Sequence, residues 1–345
     1  MIRFRFAALT ITFVAFAAVA LVGNEVPKTS AGRMQLAAGK YLAALTPELK
    51  TKSVFDFNDA HRTKWFFTPQ QDKEKKFTRK GARLEEMTPE QKVAALDLLK
   101  TGVSAKGYET ASTIIGLEEL LLSLEGPKGA MTRNPNWYFV SIFGEPSATG
   151  KWGWRFEGHH LSVNYTLDKG EVISATPMLL ASNPAEVKDG AKKGLRPLPA
   201  IEDHARALIK SLTEEQVKVA VQPKQFGEIN EGQPKAGVGD PVGIPAAKLT
   251  AEQRSTLTKL LAAYTERMPE DLAAVEDKRA KETPLDKLYF AYWGSTEPGK
   301  PYTYRVYAPE FVVEFLNVQA DAAKNPANHI HSAWRRLPGD FGISE

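Results

Sequence analysis

Four of the six histidines in this 345-residue chain fall in two tight clusters, His159-His160 and His329-x-His331. Two residues separated by one position on a strand point to the same face, so His329 and His331 can offer two imidazoles to one metal ion. Imidazoles combined with carboxylates suit zinc, copper, nickel or iron better than calcium or magnesium. The spacing therefore predicts a site for a transition metal such as zinc.

A carboxylate on a neighbouring strand can complete this site. Glu314 lies on a predicted strand beside the one that carries the second cluster. We expect Glu314, His329 and His331 to bind the metal, joined by His159 or His160 if the two halves of the chain face each other. Such a centre resembles a two-histidine, one-carboxylate site with open positions. The expectation has a geometric test, since the imidazoles of His329 and His331 must lie within about 5 Å of each other and of a third ligand.

Glu157 and Arg155, which precede the first histidine cluster, are candidates for catalysis. A carboxylate at a water-poor metal site can have its pKa raised toward neutrality, as proton transfer from a bound water requires, so Glu157 is the candidate general base. Arg155 can hold an anionic group through its guanidinium fork. The structural alternative is an ion pair between these two residues, together with histidines that satisfy backbone carbonyl groups.

The sequence lacks the motifs of several enzyme classes. It contains no G-x-S-x-G elbow, no H-E-x-x-H motif, no Walker loop and no calcium-loop pattern. The glycine-rich stretch 237–243 follows no predicted strand and lacks the dinucleotide spacing, so no nucleotide cofactor is expected. Because cysteine is absent, thiol nucleophiles, thiolate metal sites and covalently attached haem are excluded.

Residues 1–22 have the pattern of a secretory signal peptide. Arg3 and Arg5 precede the apolar run 6–22, which contains the small residues A-V-A at 18–20. We therefore expect an exported protein, periplasmic or extracellular; the alternative is an uncleaved segment that anchors the chain in a membrane. Removal of the two arginines leaves 43 of the 45 basic residues against 41 acidic ones. This nearly neutral balance argues against a nucleic-acid partner.

The first histidine cluster lies within a predicted strand, 152–166, whose alternation breaks in the middle. Under strict alternation, the aromatic residues before Gly158 and the apolar residues after His160 would lie on opposite faces. A β-bulge at Gly158-His159 restores the phase and predicts one buried apolar face. The alternative is a strand that ends at Gly158 and then resumes. The polar face of the bulged strand is expected to carry Arg155, Glu157, His160, Ser162 and Asn164.

Similar segments recur in the two halves of the chain. Helix starts capped by threonine are predicted in the phrases that begin at Leu45, Met87, Leu212 and Leu249. After both Thr88 and Thr250 come two helical stretches, two paired strands and a third strand. The second strands align without a gap, and Pro309 then occupies the place of His159.

These similarities predict an α+β fold in which two related helix-helix-β-meander units form antiparallel sheet covered by helices. Residues 33–345 are expected to be a single domain, with half-repeats at about 45–183 and 212–345. Residues 222–248 are rich in proline, glycine and charge and show no periodicity. They are expected to form an irregular excursion from the fold.

Several separated motifs resemble one known family: W-R-F-E-G-H-H-L-S-V-N-Y at 154–165, T-P-M-L-L-A-S-N-P-A at 176–185, N-H-I-H-S-A-W-R at 328–335 and D-F-G at 340–342. The chain resembles a family of mostly bacterial, often exported proteins catalogued as domain of unknown function 3500. The resemblance implies no established activity, cofactor or catalytic residue. It marks E-G-H-H and N-H-I-H as motif positions.

Three functions are compatible with these patterns. The first is an exported, hydrolase-like enzyme in which a histidine-bound ion activates water. The second is a non-catalytic binding protein that holds a small polar or anionic ligand in an open cleft between the meanders, with Arg155 or Arg305 reaching into it. The third is a structural envelope protein whose histidine clusters form internal hydrogen bonds.

Overall fold

The computed structural model of the protein describes residues 27–343, and the predicted signal peptide lies outside them. Within this range the chain forms eight α-helices and twelve β-strands. The helices are α1 (Ser30–Ala44), α2 (Pro47–Ser53), α3 (Pro89–Thr101), α4 (Ala105–Glu125), α5 (Pro199–Lys210), α6 (Glu214–Ala220), α7 (Ala251–Thr265) and α8 (Glu270–Glu282). The strands are β1 (Val54–Phe55), β2 (Ala82–Arg83), β3 (Tyr138–Phe143), β4 (Trp152–Gly158), β5 (Leu161–Asp168), β6 (Glu171–Ser174), β7 (Met178–Leu180), β8 (Ile244–Pro245), β9 (Tyr289–Gly294), β10 (Tyr302–Tyr307), β11 (Phe311–Gln319) and β12 (His329–Arg336).

Threonine residues begin four helices at the predicted places. Thr46, Thr88, Thr213 and Thr250 each accept a hydrogen bond from a backbone N–H of the first helical turn. In α3, α6 and α7 the side-chain oxygen of a glutamine accepts a hydrogen bond from the backbone N–H of the threonine, which completes a capping box. The predicted helix starts are therefore confirmed. Within residues 27–343, no helix has both the length and the apolar character needed to span a bilayer.

The twelve strands belong to one mixed sheet. Its main path runs β1-β3-β4-β5-β7-β12-β11-β10-β9-β8, while β2 pairs with β3 and β6 pairs with β5. The α+β class predicted from the sequence is confirmed. β7 and β12 pair antiparallel, with Leu179 opposite Ala333. The two halves are therefore joined by strand pairing.

The predicted β-bulge at Gly158-His159 is wrong. β4 ends at Gly158, and β5 begins opposite it at Leu161 and runs back antiparallel. His159 and His160 form the two-residue turn between the strands, and His160 has a left-handed φ of 63°. Cross-strand partners share a face, so the large apolar residues of both strands still lie on one side of the sheet. A two-residue hairpin turn shifts the alternation of apolar and polar residues by the same amount as a one-residue β-bulge. The sequence pattern alone therefore does not distinguish the two.

The sheet buries different residues on its two faces. On the face covered by helices, a large core includes Trp154 and Tyr165 of the β4–β5 hairpin. On the opposite face, a smaller core includes Trp65. That face is covered by two irregular stretches, residues 56–81 and 222–243, which we call the covering segments.

The covering segments bind each other as well as the sheet. The indole N–H of Trp65 donates to the carbonyl oxygen of Gln233 at 3.0 Å, and the N–H of Gly232 donates to the carbonyl oxygen of Trp65 at 2.7 Å. Ile229 is buried in the smaller core. The part of the predicted excursion that precedes β8 is thus irregular. It forms the second covering segment and packs on the sheet.

The order of elements is similar in the two halves. β2 and a 3-10 turn precede α3, α4 and the strands β3 to β7, while β8 and a 3-10 turn precede α7, α8 and the strands β9 to β12. The chain reverses at aligned places, at His159-His160 in the first half and at 308–310 in the second. The internal duplication stays a prediction, because a shared order of elements does not by itself establish a repeat.

Candidate metal centre

Three histidines converge where the strands of the two halves meet. His160 comes from the β4–β5 turn, while His329 and His331 lie at the start of β12. The stretch that follows β7 lies between them. The N–H of Ala181 donates to the carbonyl oxygen of His160 at 2.9 Å, and the next residue forms a bridge to β12. Pairing of the two halves therefore brings the two sequence clusters together.

The ring nitrogens of His160, His329 and His331, here called the histidine triad, are close enough to bind one ion. Nε2 of His329 lies 2.9 Å from Nε2 of His160 and 3.1 Å from Nε2 of His331. One ring nitrogen from each residue lies within 4.8 Å of the other two. A tetrahedral zinc ion with bonds of about 2.0–2.1 Å holds nitrogen ligands about 3.3 Å apart, which is close to the two separations from His329. The predicted approach of His329 and His331 to each other and to another histidine is confirmed.

Burial keeps the imidazoles of His160 and His329 neutral. Desolvation, aided by nearby imidazoles and Arg133, lowers the pKa of His329 to about 2 and the pKa of His160 well below its ordinary value. The neutral ring is the form that binds a metal. His160 is buried, whereas His329 is half-buried and gives the triad one side that solvent reaches.

His331 is oriented by a carboxylate from the second covering segment. Its Nδ1 lies 2.9 Å from Oε1 of Glu228. Because an ionised carboxylate only accepts hydrogen bonds, His331 donates its Nδ1–H and keeps a lone pair on Nε2, which faces the triad. The ring also packs edge-on against Phe67, with centroids 4.9 Å apart. Carboxylate partners of this kind commonly orient metal-binding histidines.

His159, which was also predicted as a ligand, lies beside the triad and binds elsewhere. Its ring centroid is 3.7 Å from that of His160. Its Nδ1 pairs with Glu118 of α4, and Arg133 approaches its ring nitrogens at 3.3 and 3.4 Å. The hydroxyl group of Tyr138 donates to its carbonyl oxygen at 2.8 Å. The hairpin turn therefore sends one histidine into the triad and the other toward α4.

Glu314, the predicted carboxylate ligand, is paired with an arginine. It shares a face of β11 with Leu316, which lies opposite His331 in β12. Its Oε1 accepts a hydrogen bond from Arg305 at 3.1 Å, and burial raises its pKa. Among residues 27–343, the group with metal-binding geometry is the triad, without Glu314.

Glu157 and Arg155 lie in a buried charge network. Arg79 and Arg155 approach Oε1 of Glu157 at 3.2 and 3.3 Å, and the N–H of Phe66 donates to its Oε2 at 2.9 Å. Arg155 also contacts Nε2 of His61 at 2.8 Å. Both members of the pair are 1% exposed. These are the contacts of the structural alternative, and the catalytic roles stay predictions.

A comparison with known protein families identifies the family of this chain. A family model described as protein of unknown function (DUF3500) matches residues 27–343, nearly the whole chain. The chain belongs to the DUF3500 family. No curated protein and no solved structure matches it. The resemblance seen in the sequence motifs is confirmed, and the function of this DUF3500 protein has to follow from its own residues.

Sequence reasoning missed two carboxylates that support the histidines of this DUF3500 chain. Glu228 lies 103 positions before His331, in a segment without periodicity, and no local pattern marks it. Glu118 carries a detectable signal, because it falls on the buried stripe of α4 beside Leu117 and Leu121. A carboxylate on the buried face of a helix requires a partner, which here is His159.

Proposed function

We propose that this DUF3500 protein is an exported metalloprotein that binds one transition-metal ion, such as zinc, through His160, His329 and His331. The observation that carries the proposal is the convergence of three Nε2 atoms, at separations of 2.9 and 3.1 Å from the central one. Three imidazole nitrogen ligands suit zinc or copper better than calcium or magnesium.

Hydrogen bonding alone does not satisfy the triad. A neutral imidazole carries one N–H, and that of His331 is donated to Glu228. Nε2 of His329 contacts the Nε2 atoms of both His160 and His331, and it carries either one hydrogen or one lone pair. In either form it can make only one of these two contacts a hydrogen bond. A cation between the rings removes this conflict, since it accepts a lone pair from each.

The proposed activity is hydrolysis by a metal-activated water. Three protein ligands leave a coordination position open to water or to a small polar or anionic substrate, and the half-buried His329 marks the side that solvent reaches. Zinc can lower the pKa of a bound water from about 15.7 to about 7, which supplies a nucleophile at neutral pH.

Glu157 and Arg155 receive a structural role in this proposal. As general base and anion site they would have to leave a buried ion pair that also includes Arg79. Separating buried charges is costly, and metal activation of water does not require it.

A structural metal site is the second candidate function. The ligands come from both halves of the chain, with His160 from the first and the other two from the second, so a bound ion would cross-link the halves. In this case the metal stabilises the fold without turnover of a substrate.

Metal analysis of protein purified without a histidine tag tests the proposal. We expect about one equivalent of transition metal per chain, and its loss in His329→Ala and His331→Ala. His204→Ala is the matched control, because this histidine lies on α5 outside the triad. Metal-free wild-type protein, together with unchanged stability of the two triad variants, would contradict the proposal.

Activity assays then separate the two candidate functions. A panel of ester, phosphoester and amide substrates should show turnover that a chelator abolishes and zinc restores. Stoichiometric metal without turnover of any of these substrates would favour the structural site.

Export is supported by the basic and apolar pattern of residues 1–22. N-terminal sequencing of protein recovered outside the cytoplasm should find a mature chain that begins after the A-V-A at 18–20. An intact N-terminus on a membrane-bound protein would favour the uncleaved anchor.

A further inference from the structure

We propose that Glu228 is the positioning residue of the histidine triad: its carboxylate fixes the tautomer of His331 and thereby sets the metal affinity of the site. The inference rests on the metal site proposed above. Oε1 of Glu228 lies 2.9 Å from Nδ1 of His331, whereas Nε2 of the same ring lies 3.1 Å from His329. Glu228 therefore acts through His331 and not as a metal ligand.

This hydrogen bond decides which nitrogen of His331 is free to bind an ion. A neutral imidazole carries its hydrogen on one of two nitrogens, and only the other nitrogen has a lone pair for a metal. An ionised carboxylate has no hydrogen to donate, so the pairing with Glu228 selects the Nδ1–H form. The Nε2 lone pair is then held toward the centre of the triad before any ion arrives.

Glu228 is held in place although 44% of its side chain is exposed. Its Oε1 also accepts the backbone N–H of Ile229 at 2.9 Å, and Gln319 donates to its Oε2 at 3.4 Å. Ile229 is buried in the smaller core together with Trp65. The backbone that carries the carboxylate is thus anchored to the face of the sheet, which reduces the entropy cost of orienting His331.

The second covering segment reaches the triad by another route as well. Glu231 accepts the backbone N–H groups of Phe67 and Thr68 at 2.9 and 3.1 Å. The ring of Phe67 packs on His331, and its carbonyl oxygen accepts the N–H of His160 at 2.8 Å. The segment therefore supports two members of the triad, one directly and one through Phe67.

Two substitutions separate a tautomer effect from general loss of packing. In Glu228→Gln the amide oxygen can still accept the Nδ1–H, whereas in Glu228→Ala nothing replaces it. We expect the Kd for Co²⁺ to rise about 10–100-fold in Glu228→Ala and to rise less in Glu228→Gln. The visible spectrum of bound Co²⁺ should change in the alanine variant. Asp240→Ala removes an exposed carboxylate from the same covering segment and should bind Co²⁺ as the wild type does.

Nitrogen-15 NMR of the metal-free protein tests the tautomer itself. At about pH 8, above the ordinary histidine range, His331 should carry its hydrogen on Nδ1 in the wild type and in Glu228→Gln, and should lose this preference in Glu228→Ala. An unchanged tautomer and an unchanged Co²⁺ affinity in Glu228→Ala would overturn the inference alone. A wild type that binds no Co²⁺ would overturn the proposed function together with the affinity effect.

Discussion

At the scale of single residues, burial keeps histidines neutral in two places. In the triad, lowered pKa values leave His160 and His329 with free lone pairs. Away from the triad, His61 lies against the guanidinium group of Arg155. Desolvation, followed by the positive charge of Arg155, lowers the pKa of His61 to about 3.

Acid should begin to destabilise the protein at pH values well above the pKa that His61 has in the folded protein. Between about pH 6.5 and pH 3, the unfolded chain binds a proton at this residue that the folded protein excludes. The stability contributed by neutral His61 is therefore complete above about pH 6.5 and is lost as the pH falls toward 3, with about 2 kcal/mol lost at pH 5. Urea denaturation of metal-free protein at several pH values measures this loss. His61→Gln should flatten the dependence, and a variant with the wild-type slope would contradict the assignment.

Glu157→Gln should lower stability and leave metal binding intact. The change removes the carboxylate between Arg79 and Arg155, and breaking a buried ion pair typically costs about 3–5 kcal/mol. Urea denaturation measures the loss of stability, and metal analysis measures whether binding is retained. Glu74→Gln, at an exposed position, is the control for the charge change. Unchanged stability combined with lost hydrolysis would instead support the general-base role.

Spacing predicts part of the triad and no more. The H-x-H pattern is sufficient to place His329 and His331 on one face, because it depends only on the alternation of a strand. The third ligand depends on how the two halves pair, so the sequence favours Glu314 and adds His159 or His160 only if the halves face each other. The partner of His331 comes from a segment without periodicity, where no local rule applies.

At the scale of elements, the β4–β5 hairpin determines which histidine reaches the triad. Its turn places His160 beside β12 and His159 beside α4, and Tyr138 holds the turn through a hydrogen bond to its backbone. Alternation predicts the faces of β4 and β5 correctly. It does not predict the reversal at Gly158, because a bulge gives the same order of apolar and polar residues.

Gly158→Ala should displace this turn. A Cβ atom at Gly158 would lie 2.4, 2.6 and 2.8 Å from three ring atoms of Tyr138, a side chain that is 1% exposed. Because this buried ring is also tied to the turn by its hydroxyl group, we expect about 1–3 kcal/mol lower stability together with weaker zinc binding. Thermal denaturation and zinc titration measure the two effects.

Gly116→Ala is the matched control for this substitution. A Cβ atom at Gly116 meets nothing within 4 Å, and the residue lies in α4. Alanine at this helical position should raise stability by about 0.5–1 kcal/mol. Equal effects of the two substitutions would show that the contact with Tyr138 is not the cause.

At the scale of the whole molecule, the triad lies at a weak point of the sheet. β7 and β12 pair at two positions, whereas β4 and β5 pair at seven. Repeated motifs predict the α+β class, although the second strand expected in each half is a hairpin of two strands, β4–β5 and β10–β11. They do not predict the edge at which the halves meet, because β7 has three residues and gives no periodic signal.

A metal ion that bridges the halves should therefore stabilise the entire protein. An ion that binds only the folded state raises the free energy of unfolding by about 2.7 kcal/mol at a concentration 100 times its Kd. Thermal denaturation with zinc and with a chelator should show this difference in the wild type. His160→Ala removes the ligand of the first half and should abolish the difference. If that variant kept the full difference, the ion would have to bind elsewhere.

Anomalous diffraction from crystals grown with zinc tests the metal centre most directly. Data collected on both sides of the zinc absorption edge should give one difference peak about 2.0–2.1 Å from Nε2 of His160, His329 and His331. Glu228 should remain bonded to Nδ1 of His331. A peak at another place, or no peak among the three rings in a protein with this fold, would contradict the proposed site.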